Sequence, residues 1–376
     1  MLIATDPQSL LTTPDALRIA FPAQTYSDPT ADERQVCVIS QGVEPRWIVL
    51  GDTRKALSVL SSWRPWNLSS RVKWSGVQFA AYLKLLSRVP GVQSTSYTID
   101  YSYWLQNLPG FSRNWNTVIH VGNSSHTRKA ILFFIAEDGR VRFAAKVPII
   151  HGAAQAILNE SAMLKRLKAF EYLPKVLFED AARGIAVQSW LEGKPVSRGF
   201  TPAHLDLLNS LVNPGDTARV SDFQLEVKAE LDELDHPFDR SVLECALEML
   251  DFDEPLRAFV EHRDFAPWNL KWLSNGTLGL LDWEWSVSHS LPWQDVCRMF
   301  YLDDVHFNGP GNVWQTMTGN KLLQDYCRKF EIPRSALPPL TMRYLLRALA
   351  MDWASGNDRL ARYSYGQIEK LLNFPR

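Results

Sequence analysis

A chain of 376 residues is long enough for two cores, and 46% hydrophobic with 22% charged residues is the balance of an ordinary globular protein. A formal net charge of -1 supplies no global basic field, so nucleic acid is excluded as the default partner. No apolar run approaches the roughly 20 residues of a membrane span, and four scattered cysteines without a CxxC pair predict a reduced, cytoplasmic protein.

The opening stretch MLIATDPQSLLTTPDALRIAF lacks a basic start and a continuous apolar core, so it does not read as a secretory signal. Residues 1–112 form an extension of mixed α/β character. Within it, Gln35 to Leu50 offers two short apolar runs around Gly42 and Pro45, the pattern of a hairpin. From Ser70 to Ser87 the residues Val72, Val77, Ala80, Leu83 and Leu86 recur at helical intervals, and Pro90-Gly91 ends the helix. The basic residues Arg64, Arg71, Lys73, Lys84 and Arg88 read as a solvated face ahead of a surface for an anionic ligand or partner.

From His120 the chain alternates strand, turn, strand, turn, strand. Asp138-Gly139 is a hairpin signal, and period two sends Val141, Phe143, Ala145 and Val147 to one face. Arg142, Ala144 and Lys146 take the other. A small alanine two residues before a lysine is what an adenine ring and its phosphates require. The turn Gly122-Asn123-Ser124-Ser125 could cradle phosphate oxygens through backbone N–H groups and the hydroxyls of Ser124 and Ser125. His151 to Phe170 reads as an amphipathic helix with Glu160 on its apolar stripe beside Leu164 and Leu167. An inward carboxylate demands a partner, and Lys146 is the natural one. Two strands follow around Ala182-Arg183-Gly184, then a connector, Gln188 to Glu192 including Trp190, whose main-chain groups would be free to meet a ligand edge.

Beyond Thr201-Pro202, a helix start, the pattern is helical: Asp222 to Leu234 capped by Ser221, Arg240 to Leu250, Pro292 to Tyr301, Lys321 to Phe330 and Leu340 to Trp353. These helices flank the densest chemistry in the chain, EHRDFAPWNLKWLSNGTLGLLDWE, Glu261 to Glu284. Asn269 follows Asp264 by five positions and Asp282 follows Asn269 by thirteen, with the turn Ser274-Asn275-Gly276 between. Loop, strand, turn and strand would return Asp282 beside Asn269. Such oxygens suit a hard cation bridging phosphates and a base for a transferred hydroxyl.

HRDFAPWN followed by LDWE resembles the catalytic and metal loops of the protein-kinase-like superfamily, and most closely those of the aminoglycoside/choline phosphotransferase type. The resemblance covers roughly residues 118–300 and implies an α+β, two-lobed fold. It places a small antiparallel nucleotide lobe with its hinge at 113–193 and a helical lobe carrying the catalytic, metal and acceptor sites at 194–376. It implies ATP, with GTP as the alternative, and Mg²⁺. Asp264 would be the base; Asn269 and Asp282 would hold the metal. Lys146, braced by Glu160, would fix the phosphate tail, and Ser124, Ser125, Ala144, Gln188 and Trp190 would surround the nucleotide. His262 and Asp295 read as scaffold, and Glu284 as either a second metal-shell or a structural residue. Arg263 departs from the glycine common in small-molecule phosphotransferases and keeps a protein kinase in view. Against that, no Ala-Pro-Glu segment follows Asp282. A non-enzymatic nucleotide-binding scaffold is the third reading, given the poor phosphate loop. The expected acceptor is a hydroxyl-bearing small molecule: a sugar or polyol ahead of an amino alcohol or aminoglycoside. Asp303, Asp304, Asp352 and Asp358 could supply an acidic pocket for a cationic acceptor. The tryptophans 283, 285, 293, 314 and 353 could instead supply a stacking surface for a sugar. Nothing in the sequence sets the oligomeric state.

Overall fold

The computed structural model describes residues 10–22, 31–63, 65, 68–197, 199–307 and 309–374, so the first nine residues and Arg64 lie outside it. The chain divides into two compact units: Met1–Pro195 with Gly279–Glu284, and Val196–Leu278 with Trp285–Arg376. No described helix is long and apolar enough to cross a membrane, and the four cysteines are free thiols.

In the first unit the period-two segments become one eight-stranded antiparallel sheet. Its strands are β1 (Ala31–Gln41), β2 (Glu44–Leu50), β3 (Val92–Asp100), β4 (Asn116–Val121), β5 (Lys129–Ile135), β6 (Val141–Pro148), β7 (Val176–Asp180) and β8 (Ile185–Ser189), in the order β3-β1-β2-β4-β5-β6-β8-β7. The hairpin expected over 35–50 is β1–β2. Strand β2 pairs with β4, from Trp47 opposite His120 to Leu50 opposite Thr117. The sheet therefore runs unbroken from the N-terminal extension into the strands that carry Lys146.

Residues directly opposite one another share a face. One face carries Leu132, Phe134, Ala145 and Val147. These pack with Leu17 of helix α1 (Thr13–Ala20) and with Tyr103 and Trp104. The opposite face carries two cross-strand rows: Trp47, His120, Ile131, Lys146 and Ala186, then Val49, Val118, Phe133, Ala144 and Gln188. Val141 is a correction to simple alternation. The register slips between Phe134 and Ile135, so Val141 opposes Ile135 and joins the cluster on the Trp47 face, away from Phe143, Ala145 and Val147. One extra residue in a strand inverts every side chain beyond it.

A short turn, α2 (Leu57–Leu60), precedes α3 (Leu68–Tyr82), which is the helix expected from Ser70 onward. It buries Trp74 and Ala81, with Val77 packed partly against the same cluster, whereas Val72 and Leu83 face outward. Helices α4 (Ser102–Asn107) and α5 (His151–Arg166) complete this unit, followed by the short strand β9 (Lys194–Pro195).

The second unit begins with α6 (Pro202–Asn209), where Thr201 is the N-cap and its N–H donates to His204 Nδ1. Strand β10 (Val212–Ala218) precedes α7 (Gln224–Asp232) and α8 (Arg240–Glu248). The α7 region opens with a 3₁₀ turn at Ser221–Phe223, and the Ser221 hydroxyl bonds Asp253 instead of capping the helix. Then come β11 (Leu256–Glu261), β12 (Leu270–Trp272), β13 (Leu278–Leu280), whose last two residues belong to the first unit, β14 (Val287–Ser290), α9 (Gln294–Phe307), α10 (Val313–Thr318), α11 (Lys321–Lys329), α12 (Leu337–Ala354) and α13 (Asp358–Leu372). Strands β10, β11 and β14 form a small sheet. Helix α12 is buried almost all round, including Leu340, Leu346, Leu349 and Arg343, so the other helices have a common centre to pack on.

Candidate active site

One polar cluster is built on β5, β6, α5 and the segment Gly279–Glu284, all within the first unit. Lys146 Nζ donates to Glu160 Oε2 at 2.6 Å and to Asp282 Oδ1 at 2.6 Å. Glu160 is fully buried on α5, and its other oxygen accepts the Trp283 N–H at 3.3 Å. One carboxylate thus holds both the lysine and the backbone that presents Asp282. Asp282 sits at φ 65, a left-handed conformation that costs a non-glycine residue about 1 kcal/mol and clusters at functional sites.

A second lysine enters this cluster. Lys129, at the start of β5, donates to Asp282 Oδ1 at 3.2 Å and forms a very close pair with Glu284. Both lysines are buried. Burial alone would push their pKa values down, but Asp282 and the neighbouring glutamates outweigh it and hold both raised. For Asp282, burial works toward the neutral acid; Lys129 and Lys146 reverse this and hold the carboxyl far below its ordinary range. Glu284 goes the other way, raised by burial and by the adjacent Asp282 charge. Both lysines meet Oδ1, and no described residue donates to Asp282 Oδ2.

The loop between β4 and β5 is closed by Gly122 N–H to the Lys129 carbonyl at 2.9 Å and by Arg128 N–H to the Ser125 carbonyl at 3.1 Å. Ser124 and Ser125 are exposed at its tip. Buried Arg128 pairs with Glu44 at 2.9 Å and anchors the base of the loop. A Cβ on Gly122 would lie 2.9 Å from the Lys129 carbonyl oxygen. Gly122→Ala should therefore open the turn, displace Lys129 and destabilise the unit by about 1–3 kcal/mol, read by calorimetric melting. An unchanged melt would show that the turn is not tight.

Ala144 lies between Phe133 and Gln188 on the Lys146 face, and Trp190 packs edge-on against Phe133 at 5.4 Å. Buried Gln188 leaves its Nε2 without a partner. A small residue, flat apolar neighbours and an orphaned amide donor are the chemistry a purine would complete. Gln188 can thus act through its side chain, which the main-chain role expected of the hinge did not include.

A second polar cluster belongs to the second unit. Strand β11 ends at Glu261, and the chain turns through His262, Arg263 and Asp264. Asp295, at the start of α9, accepts the N–H of His262 at 2.8 Å and of Arg263 at 2.9 Å. His262 Nδ1 accepts the Asp264 N–H at 3.2 Å, so this imidazole is a scaffold within the loop. Burial and Glu261 push the Asp295 carboxyl up to about 8, against the pull of those two donors. Arg263 has φ 67, in the left-handed region that favours glycine, and its guanidinium lies 3.7 Å from buried Glu261.

Asp264 is held at both oxygens. Oδ2 accepts Asn269 Nδ2 at 2.8 Å, and Oδ1 accepts Arg298 Nη2 at 2.8 Å and Nε at 3.2 Å. A carboxylate offers roughly four acceptor positions, so these three donations leave one on Oδ2 open. Trp268, between Asp264 and Asn269, is 37% exposed and meets the His306 ring at 5.9 Å.

Two residues of these clusters escaped the sequence reading, and both left a signal. Lys129 shares its face with Ile131, which opposes Lys146; Arg298 follows Asp295 by three positions, on the same face of α9. Of the four aspartates considered for an acidic pocket, Asp358 is exposed and Asp303 half-buried, whereas the other two are committed inside the unit. Asp304 is buried and accepts from Gly311 N–H and the Tyr363 hydroxyl, and Asp352 is buried against the Tyr301 hydroxyl. Of the five tryptophans considered for stacking, 283, 293 and 314 are buried, and Trp353 donates to the Asp235 carbonyl. Among the described residues no group of three or more His, Cys, Asp or Glu is disposed to hold a metal.

No family model matches the chain, and no curated protein matches it. Among solved structures the chain is similar to a thermostable mutant of aminoglycoside phosphotransferase APH(4)-Ia in ternary complex with AMP-PNP and hygromycin B. That likeness has TM-score 0.50 and 14% identity, and covers 72% of this chain and 97% of that one. Choline kinase LicA from Streptococcus pneumoniae matches at TM-score 0.43 and 15% identity over 71% of this chain and 92% of its own. Macrolide 2'-phosphotransferase type I matches at 0.46 and 15% over 66% and 90%. The first of these likenesses shows a shared fold, α+β and kinase-like.

Proposed function

We propose that this protein is an ATP-dependent phosphotransferase that moves the γ-phosphoryl group to a hydroxyl of a small molecule. The observation that carries this reading is Lys146 clamped between Glu160 and Asp282, both at 2.6 Å. A buried lysine shared by two carboxylates is poised to exchange one of them for phosphate oxygens. The fold match supports it, since that structure holds AMP-PNP and hygromycin B.

In this reading Ala144, Gln188 and Trp190 receive the adenine, Ser124 and Ser125 cover the phosphates, and Lys146 fixes the phosphate tail with Lys129 beside it. Asp282 would offer Oδ2 to Mg²⁺, and Asn269 its side-chain oxygen, a choice supported by the sequence spacing of the two residues. Bound there, Mg²⁺ would neutralise charge on the β- and γ-phosphates. Asp264, fixed by Arg298 and Asn269, would accept the hydroxyl proton from the free position on Oδ2. A neutral sugar or polyol is favoured over a polycation, because Asp304 and Asp352 are committed internally whereas Trp268, four residues after Asp264, keeps its indole partly exposed.

The test is an ADP-release screen with Mg²⁺-ATP over sugars, polyols, amino alcohols and aminoglycosides, with a protein substrate included and calorimetric titration of nucleotide alongside. Turnover on one of the small molecules is expected; a titration without heat for ATP or GTP would sink the reading. Glu160→Gln should raise the KM for ATP on the order of tenfold, because Lys146 then loses a charged partner worth about 1.5–3 kcal/mol. An unchanged KM would remove Glu160 as the brace.

A further inference from the structure

Helix α3 has two apolar faces where a surface helix normally has one. The inner face, Trp74, Val77 and Ala81, packs on the sheet. On the outer side Val72, Phe79 and Leu83, seven and four residues apart, form a second line that continues just past the helix end. They are 67%, 64% and 45% exposed, with Tyr82 half exposed beside them. Helical periodicity of about 100° per residue places Arg71 and Lys73 on opposite flanks of this line.

The charge around the helix is one-sided. Between Asp52 and Asp100 the sequence carries seven Lys or Arg and no Asp or Glu, in a chain whose net charge is -1. Lys73 and Arg88 are exposed; Lys84 pairs with Asp52 at 2.9 Å, and Arg54 lies over the Tyr82 ring at 4.8 Å. These cations are distributed along the helix and its flanks.

We propose that the outer face of α3 is a docking surface for an anionic lipid bilayer. Val72, Phe79 and Leu83 would enter the boundary between headgroups and acyl chains, and Arg71, Lys73 and Arg88 would meet lipid phosphates. A second copy of this chain fits poorly, because pairing through this face would set the basic stretch against itself. A protein partner reading a helix needs a groove or offers one. Here the apolar line lies on the exposed side of a helix with Arg71 and Lys73 on its flanks, the arrangement that an anionic planar interface accepts.

The full-length protein should be sedimented with phosphatidylcholine vesicles, and with vesicles in which about a third of the lipid is phosphatidylglycerol. Binding to the anionic vesicles should be about tenfold stronger and should fall steeply as salt is raised from about 0.05 M to about 0.5 M. Phe79→Glu with Leu83→Glu should abolish it without moving the melting curve, since neither side chain is in the core. Lys73→Glu should weaken it while leaving the apolar line intact. Equal binding to both vesicle types, or undiminished binding by the Phe79→Glu/Leu83→Glu variant, would overturn the proposal. So would capture of an acidic amphipathic peptide by a protein that ignores vesicles, or a dimer in light scattering that this variant dissolves.

Discussion

Asp264→Asn is expected to lower kcat by about 10²–10⁴-fold, the usual worth of a positioned general base, with the KM for ATP changed less than about twofold. The substitution keeps the shape of the side chain and removes its capacity to take a proton. It also removes the charge that Arg298 faces at 2.8 Å, and Arg298 is largely buried. Burial opposes the guanidinium charge, and Asp264 is the opposing carboxylate that sustains it. Some loss of activity could then come from a disturbed loop, so a double variant separates the two causes. Asp264→Asn with Arg298→Met should regain melting temperature lost by the single variant and regain no turnover. Recovery of turnover in the double variant, or near-normal kcat in the single one, would show that Asp264 is a structural ion-pair partner and not the base.

The parts of the fold and site that could be read in the sequence are those encoded by local spacing. Asp138-Gly139 closes β5 on β6 through Gly139 N–H to the Ala136 carbonyl, and Glu160 lies inward because it shares a stripe with Leu164. The Lys146–Glu160 pair could be inferred because an inward carboxylate needs a cation, and one strand upstream supplies it. What escaped depends on contacts far apart in sequence. Nothing near residue 50 announces that β2 will pair with β4, since a hairpin with alternating burial can end a sheet or continue one. Lys129 is ordinary until a segment 153 positions away brings Asp282 to it. Val141 obeys alternation in the sequence and departs from it only because the register slips at Phe134/Ile135. Helix α3 is instructive in another way: the residues Val72 and Leu83 that helped mark it as amphipathic lie outside, while the bulk of Trp74 decides which face is buried.

Asp282→Asn is expected to abolish the stabilisation of the protein by Mg²⁺-ATP while leaving the unliganded protein close to its original melting temperature. Asparagine is the suitable replacement because Asp282 has φ 65, and Asn tolerates the left-handed region better than Ala does. The charge balance predicts a quiet apoprotein. In the intact cluster two lysines, Lys129 and Lys146, face three carboxylates, Glu160, Asp282 and Glu284. Removing the Asp282 charge leaves Lys146 with Glu160 and Lys129 with Glu284, one partner each, so no buried lysine is stranded. Asp282 is the carboxylate that both lysines share, so its loss leaves each lysine a partner of its own, as expected of a residue kept for a ligand. With nucleotide at a hundredfold excess over its Kd, the intact protein should gain about 2.7 kcal/mol. That gain should vanish in Asp282→Asn, because a neutral amide holds a hard divalent cation weakly. Thermal melts of both proteins, each with and without Mg²⁺-ATP, decide the matter: an equal shift in the two would assign the metal to another residue, and a collapsed apoprotein would make Asp282 part of the frame.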